Sequence, residues 1–214
     1  MTLKLIMLEV GPWPMNAYIL VDEESNTSAI VDPGADAKRI LSSLEGTQVA
    51  AILVTHGHAD HVGALDEIKS ATHAPVFMNP IDAGGFNLHY DQVLQDGQSI
   101  AIGSQQLRAI HTPGHTPGQT SLDLGDGRIL VGDTIFVGGP GKTWSGEDFS
   151  ITMQTMQQIV FARPGKGLTG GWPDETKFYP GHGPSGVIGQ ERSAFEAFVT
   201  RGWSPSLHGD VTWE

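Results

Sequence analysis

Thr55-His56-Gly57-His58-Ala59-Asp60-His61 carries four metal-ligating side chains, and their spacing decides how the chain must fold around them. Residues two apart point about 200° away from each other on an α-helix, so His56 and His58 can meet one ion only from a tight loop. Gly57 permits that loop. The preceding Val49-Ala50-Ala51-Ile52-Leu53-Val54 is an unbroken apolar run, the pattern of a strand buried on both faces. The ligand loop therefore begins where a doubly covered strand ends, and it hangs on a rigid support.

Working outward, the same construction recurs. Leu107-Arg108-Ala109-Ile110 runs into His111-Thr112-Pro113-Gly114-His115, Arg128-Ile129-Leu130-Val131 into Gly132-Asp133, and Lys177-Phe178-Tyr179 into Pro180-Gly181-His182. Each extended stretch meets a Gly or Pro and then delivers a His or Asp, which puts reactive side chains on loops held by a rigid scaffold. A single histidine is ordinarily a surface or core residue with its ring nitrogens satisfied. Ligand-type residues at four separated strand ends are not explained that way.

The set is His56, His58, Asp60, His61, His115, Asp133 and His182. Imidazole and carboxylate without thiolate suit zinc, iron or manganese. Seven ligands exceed the four of one zinc site, so two divalent ions are expected, zinc first, with iron or manganese as alternatives. We assign His56, His58 and His115 to the first ion and Asp60, His61 and His182 to the second. Asp133 is assigned the bridge, because a carboxylate can offer one oxygen to each.

The H-x-H-x-D-H run, Pro113-Gly114-His115, Gly132-Asp133-Thr134 and Pro180-Gly181-His182 resemble the metallo-β-lactamase superfamily, most closely its glyoxalase II-like branch of hydroxyacylglutathione hydrolases. Val31-Asp32-Pro33-Gly34 resembles that family's early strand-end motif, in which the aspartate stands behind the metal ligands. The resemblance extends from about Asn16 to His182. It implies an α/β (α+β) fold, a four-layer αββα sandwich with the ligands on loops along one edge of the paired sheets.

It also implies metal-dependent hydrolysis of an ester-like bond, a thioester of the hydroxyacylglutathione type leading. A hydroxide held between the ions would attack the carbonyl, because metal binding lowers the pKa of water to about 7. Asp60 would be catalytic as well as ligating, by fixing the direction of that nucleophile. A thiolate leaves without a strong general acid. Gly138-Gly139-Pro140-Gly141-Lys142-Thr143-Trp144-Ser145-Gly146 resembles the segment that offers glutathione a basic and an aromatic side chain, which makes Lys142 and Trp144 the expected substrate contacts.

Two departures narrow the match. Gly183-Pro184 follows His182 where glyoxalase II enzymes tend to carry an acid and a tyrosine, and the final helix leaves no room for their added helical domain. The chain thus resembles the shorter, single-domain relatives. The alternative function on this scaffold is a persulfide dioxygenase, with one iron on His56, His115 and Asp133, and a further one is a lactonase. Retention of all seven ligands favours hydrolysis. The electron-transfer diiron relatives carry Glu where His58 stands, which counts against them, and the missing export signal counts against a β-lactamase.

Composition sets the remaining bounds. The 214 residues suit one domain spanning 1–214, with no linker-like run to divide it. With 24 acidic against 12 basic side chains the formal charge is −12, which disfavours nucleic acid or an anionic membrane as a partner and leaves a small-molecule substrate. Cysteine is absent, and the apolar start is interrupted by Glu9 and Gly11-Pro12, too short for a signal peptide, so a cytoplasmic protein is expected.

Periodicity predicts strands over Lys4–Glu9, Ala17–Val21 and Ala29–Val31, then a helix over Ala37–Leu44 capped by Asp36 and stopped at Gly46. A second helix is predicted over Val62–Ala71, with Asp60 and His61 at or just before its first turn. Gly125-Asp126-Gly127 predicts a tight primed hairpin turn leading to Asp133. Further helices are predicted over Phe149–Val160, with Met153, Met156 and Val160 as core filler, and over Val187–Thr200. The residues from 203 to 214 read as irregular. Thr112-Pro113-Gly114 forbids a helix between His111 and His115, so His111 is expected behind the ligands or in packing.

Overall fold

The computed structural model describes residues 2–162 and 171–214. The first sheet runs in chain order through β1 (Lys4–Val10), β2 (Met15–Asp22), β3 (Thr27–Val31), β4 (Gln48–Val54), β5 (Val76–Met78) and β6 (Gln92–Val93). Its first three strands pair antiparallel and the rest parallel. The second sheet is built from β7 (Ser99–Ile102), β8 (Gln105–His111), β9 (Thr120–Asp123), β10 (Arg128–Gly132), β13 (Lys177–Pro180) and β14 (Gly186–Val187), ordered β14-β13-β10-β9-β8-β7. A small ribbon, β11 (Ile135–Phe136) with β12 (Gly139–Pro140), projects beyond β10.

Side-chain alternation along the central strands generates the layers. In β4, Ala51 and Leu53 face the opposite sheet, whereas Ile52 and Val54 pack under Ile40 of α1 (Ala37–Ser42) and Leu65 and Ile68 of α3 (Leu65–Thr72). In β10, Leu130 faces inward between the sheets. Its neighbours Ile129 and Val131 pack against Phe149 and Met153 of α5 (Gly146–Thr155) and Phe195 and Phe198 of α6 (Ile188–Arg201). Three apolar clusters thus separate four layers, the αββα order expected. Each fully buried aliphatic side chain such as Ile52 or Leu53 contributes roughly 1.5–3 kcal/mol relative to exposure, which makes the strand ends firm anchors for the loops that leave them.

Several boundaries differ from the sequence reading, each for a local reason. The helix expected over Val62–Ala71 is two, α2 (Ala59–Val62) and α3, because Gly63 passes against the Gly34 carbonyl and the Ala64 N–H bonds to Pro33 O. Asp60 and His61 consequently lie inside α2. Asp36 adopts the left-handed conformation and its carboxylate accepts the Gly11 N–H instead of capping α1, which ends at Ser42. In the β9–β10 turn the positive φ angles fall on Gly125 and Gly127, not on Asp126, and Leu124 N bonds to Arg128 O. Helix α5 starts earlier than expected because the Ser145 hydroxyl caps it at the Asp148 N–H, and it closes as a π-helical turn over Met156–Val160. The final helix is displaced by one residue at each end. Among the described residues, no helix is long and apolar enough to cross a membrane.

Candidate metal centre

All four ligand-bearing segments leave their strands at one edge of the paired sheets, and short main-chain bonds tie those exits together. Parallel pairing sets Gly132 beside Pro180, and Gly181 N bonds to Gly132 O at 2.8 Å. Thr120 N bonds to Thr55 O at 2.9 Å, linking the second sheet to the first. Asn16 N bonds to Gly181 O at 2.7 Å, and the Tyr18 hydroxyl and the Asn16 amide both donate to Pro180 O. The loop carrying His182 is therefore fixed from both sheets.

The seven side chains read from the sequence converge. His58 Nδ1 lies 3.0 Å from His56 Nε2 and 2.9 Å from His115 Nε2. His182 Nε2 lies 3.1 Å from Asp60 Oδ2. Asp133 stands between these groups, Oδ1 at 3.4 Å from His61 Nε2 and Oδ2 at 3.5 Å from His115 Nε2 and 3.9 Å from His182 Nε2. Among the described residues, three clusters have all candidate ligand atoms within 4.8 Å of one another: His56-His58-His115, His56-His61-Asp133 and Asp60-His61-His182.

Hydrogen bonds behind the rings select which nitrogen faces the centre. The Thr55 hydroxyl donates to Asp32 Oδ2 at 2.7 Å, so at its 3.1 Å contact with His56 the ring Nδ1 is the donor and Nε2 keeps its lone pair. His61 Nδ1 faces Asp32 Oδ2 at 3.0 Å, His115 Nδ1 donates to Lys142 O at 2.8 Å, and His182 Nδ1 donates to Pro14 O at 2.7 Å. In each case Nε2 points inward. Asp32 thus sits behind the ligands, accepting from His61, from the Thr55 hydroxyl and from the Thr55 N–H.

Electrostatics agree with a cation-binding role. Burial, reinforced by neighbouring histidines, holds His56 and His115 below the ordinary histidine range and pushes His58 down to about 4, so these rings present neutral nitrogen. Burial alone would lower His61, but Asp133 and Asp32 outweigh it and push His61 up to about 10. Burial would raise Asp133, yet His61 and the other rings hold it well below the carboxylate range. His61 Nε2 and Asp133 Oδ1 are buried and have no hydrogen-bond partner. An imidazole nitrogen and a carboxylate oxygen that can each offer a lone pair, buried 3.4 Å apart without a hydrogen-bond partner, are what a coordinated cation satisfies.

One residue of the centre is invisible in the sequence pattern. Asp82, 1% exposed in α4 (Pro80–Phe86), accepts from Gly57 N at 3.0 Å, Thr116 Oγ1 at 2.7 Å and Gly118 N at 2.6 Å. It joins the His56–His58 loop of one sheet to the His115 loop of the other. An acid in the first turn of a helix reads as a macrodipole partner, and nothing in its spacing marks a different task.

His111 is not brought into the centre. Its ring bonds to Pro117 O at 2.8 Å and its N–H to Asp96, so it braces the loop that carries His115. Lys142 and Trp144 line a cavity of about 610 Å³ that opens over the ligands, together with Phe136, Val137 and Pro140 of the ribbon. The Trp144 ring lies 5.2 Å from both the His58 and His115 rings and is half exposed. Lys142 Nζ faces Asp210 Oδ2 at 3.4 Å.

Asp210 belongs to the irregular stretch after α6, which packs instead of trailing. Thr143 and Gly209 exchange main-chain bonds at 3.2 and 2.9 Å, Trp213 N bonds to Gly138 O, and Trp213 is 2% exposed against Phe195 and Phe198.

The comparisons with known proteins agree with this geometry. A family model described as the metallo-beta-lactamase superfamily matches residues 10–169. An uncharacterized protein of Aquifex aeolicus is 33% identical, over 90% of this chain and 95% of its own length. The probable polyketide biosynthesis zinc-dependent hydrolase BaeB of Bacillus velezensis is 31% identical over 79% of this chain and 73% of its own. A hydroxyacylglutathione hydrolase of Gloeobacter violaceus is 37% identical over 60% of this chain, and the match spans about half, 52%, of that hydrolase. Among solved structures, the BLEG-1 B3 metallo-beta-lactamase superposes with a TM-score of 0.75 at 27% identity, covering 89% of this chain and 97% of that one. TTHA1623 in a di-iron-bound form superposes at 0.67 and 26% identity, covering 87% and 96%.

Proposed function

Because the chain belongs to the metallo-β-lactamase superfamily, we propose that it is a dinuclear metal-dependent hydrolase acting on a thioester, with zinc as its ion. The observation that carries this reading is the position of Asp133, whose carboxylate faces His115 of the first set and both His61 and His182 of the second. One carboxylate so placed can serve two ions. His56, His58 and His115 would hold the first and Asp60, His61 and His182 the second. When bound, the ions supply an acidified water and polarise the substrate carbonyl.

The chain's own residues do the rest. Asp60 lines the cavity, and its carboxylate accepts a hydrogen bond from the attacking water and directs the oxygen lone pair at the carbonyl. Asp32 and the Lys142 and Pro14 carbonyls keep the imidazoles oriented. Trp144, Phe136 and Val137 form an apolar wall for the acyl or thiol portion and exclude water around it. As the water oxygen bonds to carbon the C–S bond breaks, giving acid and thiol. Similarity to hydroxyacylglutathione hydrolases makes S-lactoylglutathione the first substrate to examine.

The deciding experiment measures thiol release from S-lactoylglutathione and from a neutral acyl-N-acetylcysteamine thioester under nitrogen, with metal analysis of the same preparation. The expected result is oxygen-independent cleavage at close to two ions per chain. Turnover only of a persulfide, and only with oxygen, would replace this reading by the single-iron dioxygenase.

A further inference from the structure

Among the described residues, Lys142 is the single lysine or arginine lining the cavity over the metal centre, against three acids, Asp60, Asp133 and Asp210. Its Nζ is already engaged by Asp210 at 3.4 Å. Asp210 is not a stray charge on a loose end. The main-chain pairing of Thr143 with Gly209 fixes the residue before it, and the buried Trp213, whose main-chain N–H donates to Gly138 O, fixes the chain just after it. Gly139 lies so close to the Val211 carbonyl that a Cβ there would collide with it, so ribbon and tail are packed without slack. The tail therefore presents a carboxylate at a set place beside the lysine of the cavity.

We propose that Asp210 is a specificity-determining residue that occupies Lys142 against substrate carboxylates and thereby directs the site toward thioesters uncharged at the mouth. The inference rests on the thioesterase reading. A substrate carboxylate could use Lys142 only by displacing Asp210 or by sharing the ammonium with it, and in either case it approaches a second negative charge. An uncharged thiol portion meets no such competition and gains the apolar contacts of Trp144, Val137 and Val211. Both partners are well exposed, Lys142 by 50% and Asp210 by 82% of the side chain, so solvent screens the pair and the discrimination is modest, roughly two- to fivefold.

The test compares wild type with Asp210→Asn, which keeps shape and removes charge at an exposed position. The expected result is a KM for S-lactoylglutathione that falls roughly two- to fivefold relative to the KM for the acyl-N-acetylcysteamine thioester. In parallel, calorimetric titration with the non-cleavable S-hexylglutathione should give a Kd lowered by the same factor. A KM ratio and a Kd that stay where they are, or move the other way, would overturn the assignment of Asp210. Failure of the wild type to cleave any thioester would remove the functional reading alone, since the titration reads the Asp210 effect without turnover.

Discussion

The ligand cradle and the cavity mouth lie within a few residues of each other and are built by opposite rules. In the cradle His56, His61, His115 and His182 each have a hydrogen-bond partner behind the ring, Asp32 and Asp82 each accept three hydrogen bonds, and the supporting carboxylates are about 1% exposed. At the mouth, Trp144 is 53% and Val137 50% exposed, and the Lys142–Asp210 ion pair is solvated. A buried polar group left without its partner costs more than it contributes, so a substitution in the supports of the cradle is expected to be felt at the metal-binding side chains. The mouth is made of side chains that can be exchanged without disturbing the fold. Chemistry is thus fixed by the part of the site that resists change, and selectivity by the part that accepts it.

Asp133→Ala should break this contrast most severely. The carboxylate faces ligands of both groups, so its removal is expected to take the metal content from close to two ions toward one and to abolish nearly all hydrolysis, a loss beyond about 100-fold. Elemental analysis after dialysis, beside a thioester assay, measures both. Unaltered stoichiometry would mean that the cradle does not depend on a bridge.

Asp82→Asn probes the support behind the cradle. The amide can still accept from Gly118 N, but its NH₂ turns toward Gly57 N and leaves that donor unpaired, a change worth about 1–3 kcal/mol locally. The expected outcome is a folded protein whose first ion, on His56, His58 and His115, binds 10- to 100-fold more weakly, as is usual when a group behind metal ligands is altered. Competition with a chelator, and the visible spectrum of the cobalt-substituted protein, would record the change. A wild-type titration curve would show that Asp82 only packs.

What the sequence disclosed divides along the same line. The seven candidate ligands were legible because their spacing around Gly and Pro at strand ends leaves few geometries, and the strand cores were legible because alternation between two apolar clusters yields unbroken hydrophobic runs such as Val49–Val54. Asp82 was hidden because its work is done by three hydrogen bonds to residues 25, 34 and 36 positions away. The break between α2 and α3 was hidden because it arises from contact with Pro33 and Gly34, which no local propensity records. The partner of His111 is not legible either, because the Pro117 carbonyl that its ring bonds comes within reach only once the loop has closed. The tail from residue 203 onward carries no periodicity, and its place over the cavity depends on Trp213 finding the aromatic pocket of α6.

Lys142→Ala is the mildest test and the one that bears most directly on the mouth. A free lysine holding a substrate carboxylate contributes roughly 1.5–3 kcal/mol, which would mean a tenfold to hundredfold rise in KM. Lys142 is half exposed and shares its charge with Asp210, so the expected rise for S-lactoylglutathione is smaller, at most about fivefold. The kcat should hold, because such a contact is made equally in the ground and transition states. The neutral thioester should show no rise, since it has no anion to lose. The backbone carbonyl of residue 142, which receives the His115 Nδ1 proton, survives the substitution, so the metal centre itself is untouched. An equal loss on both substrates would mean that the side chain supports the ribbon and tail. A rise well above tenfold confined to the glutathione thioester would mean that Lys142 is free for substrate in solution, and the mouth would then be built for its ligand as strictly as the cradle is for its ions.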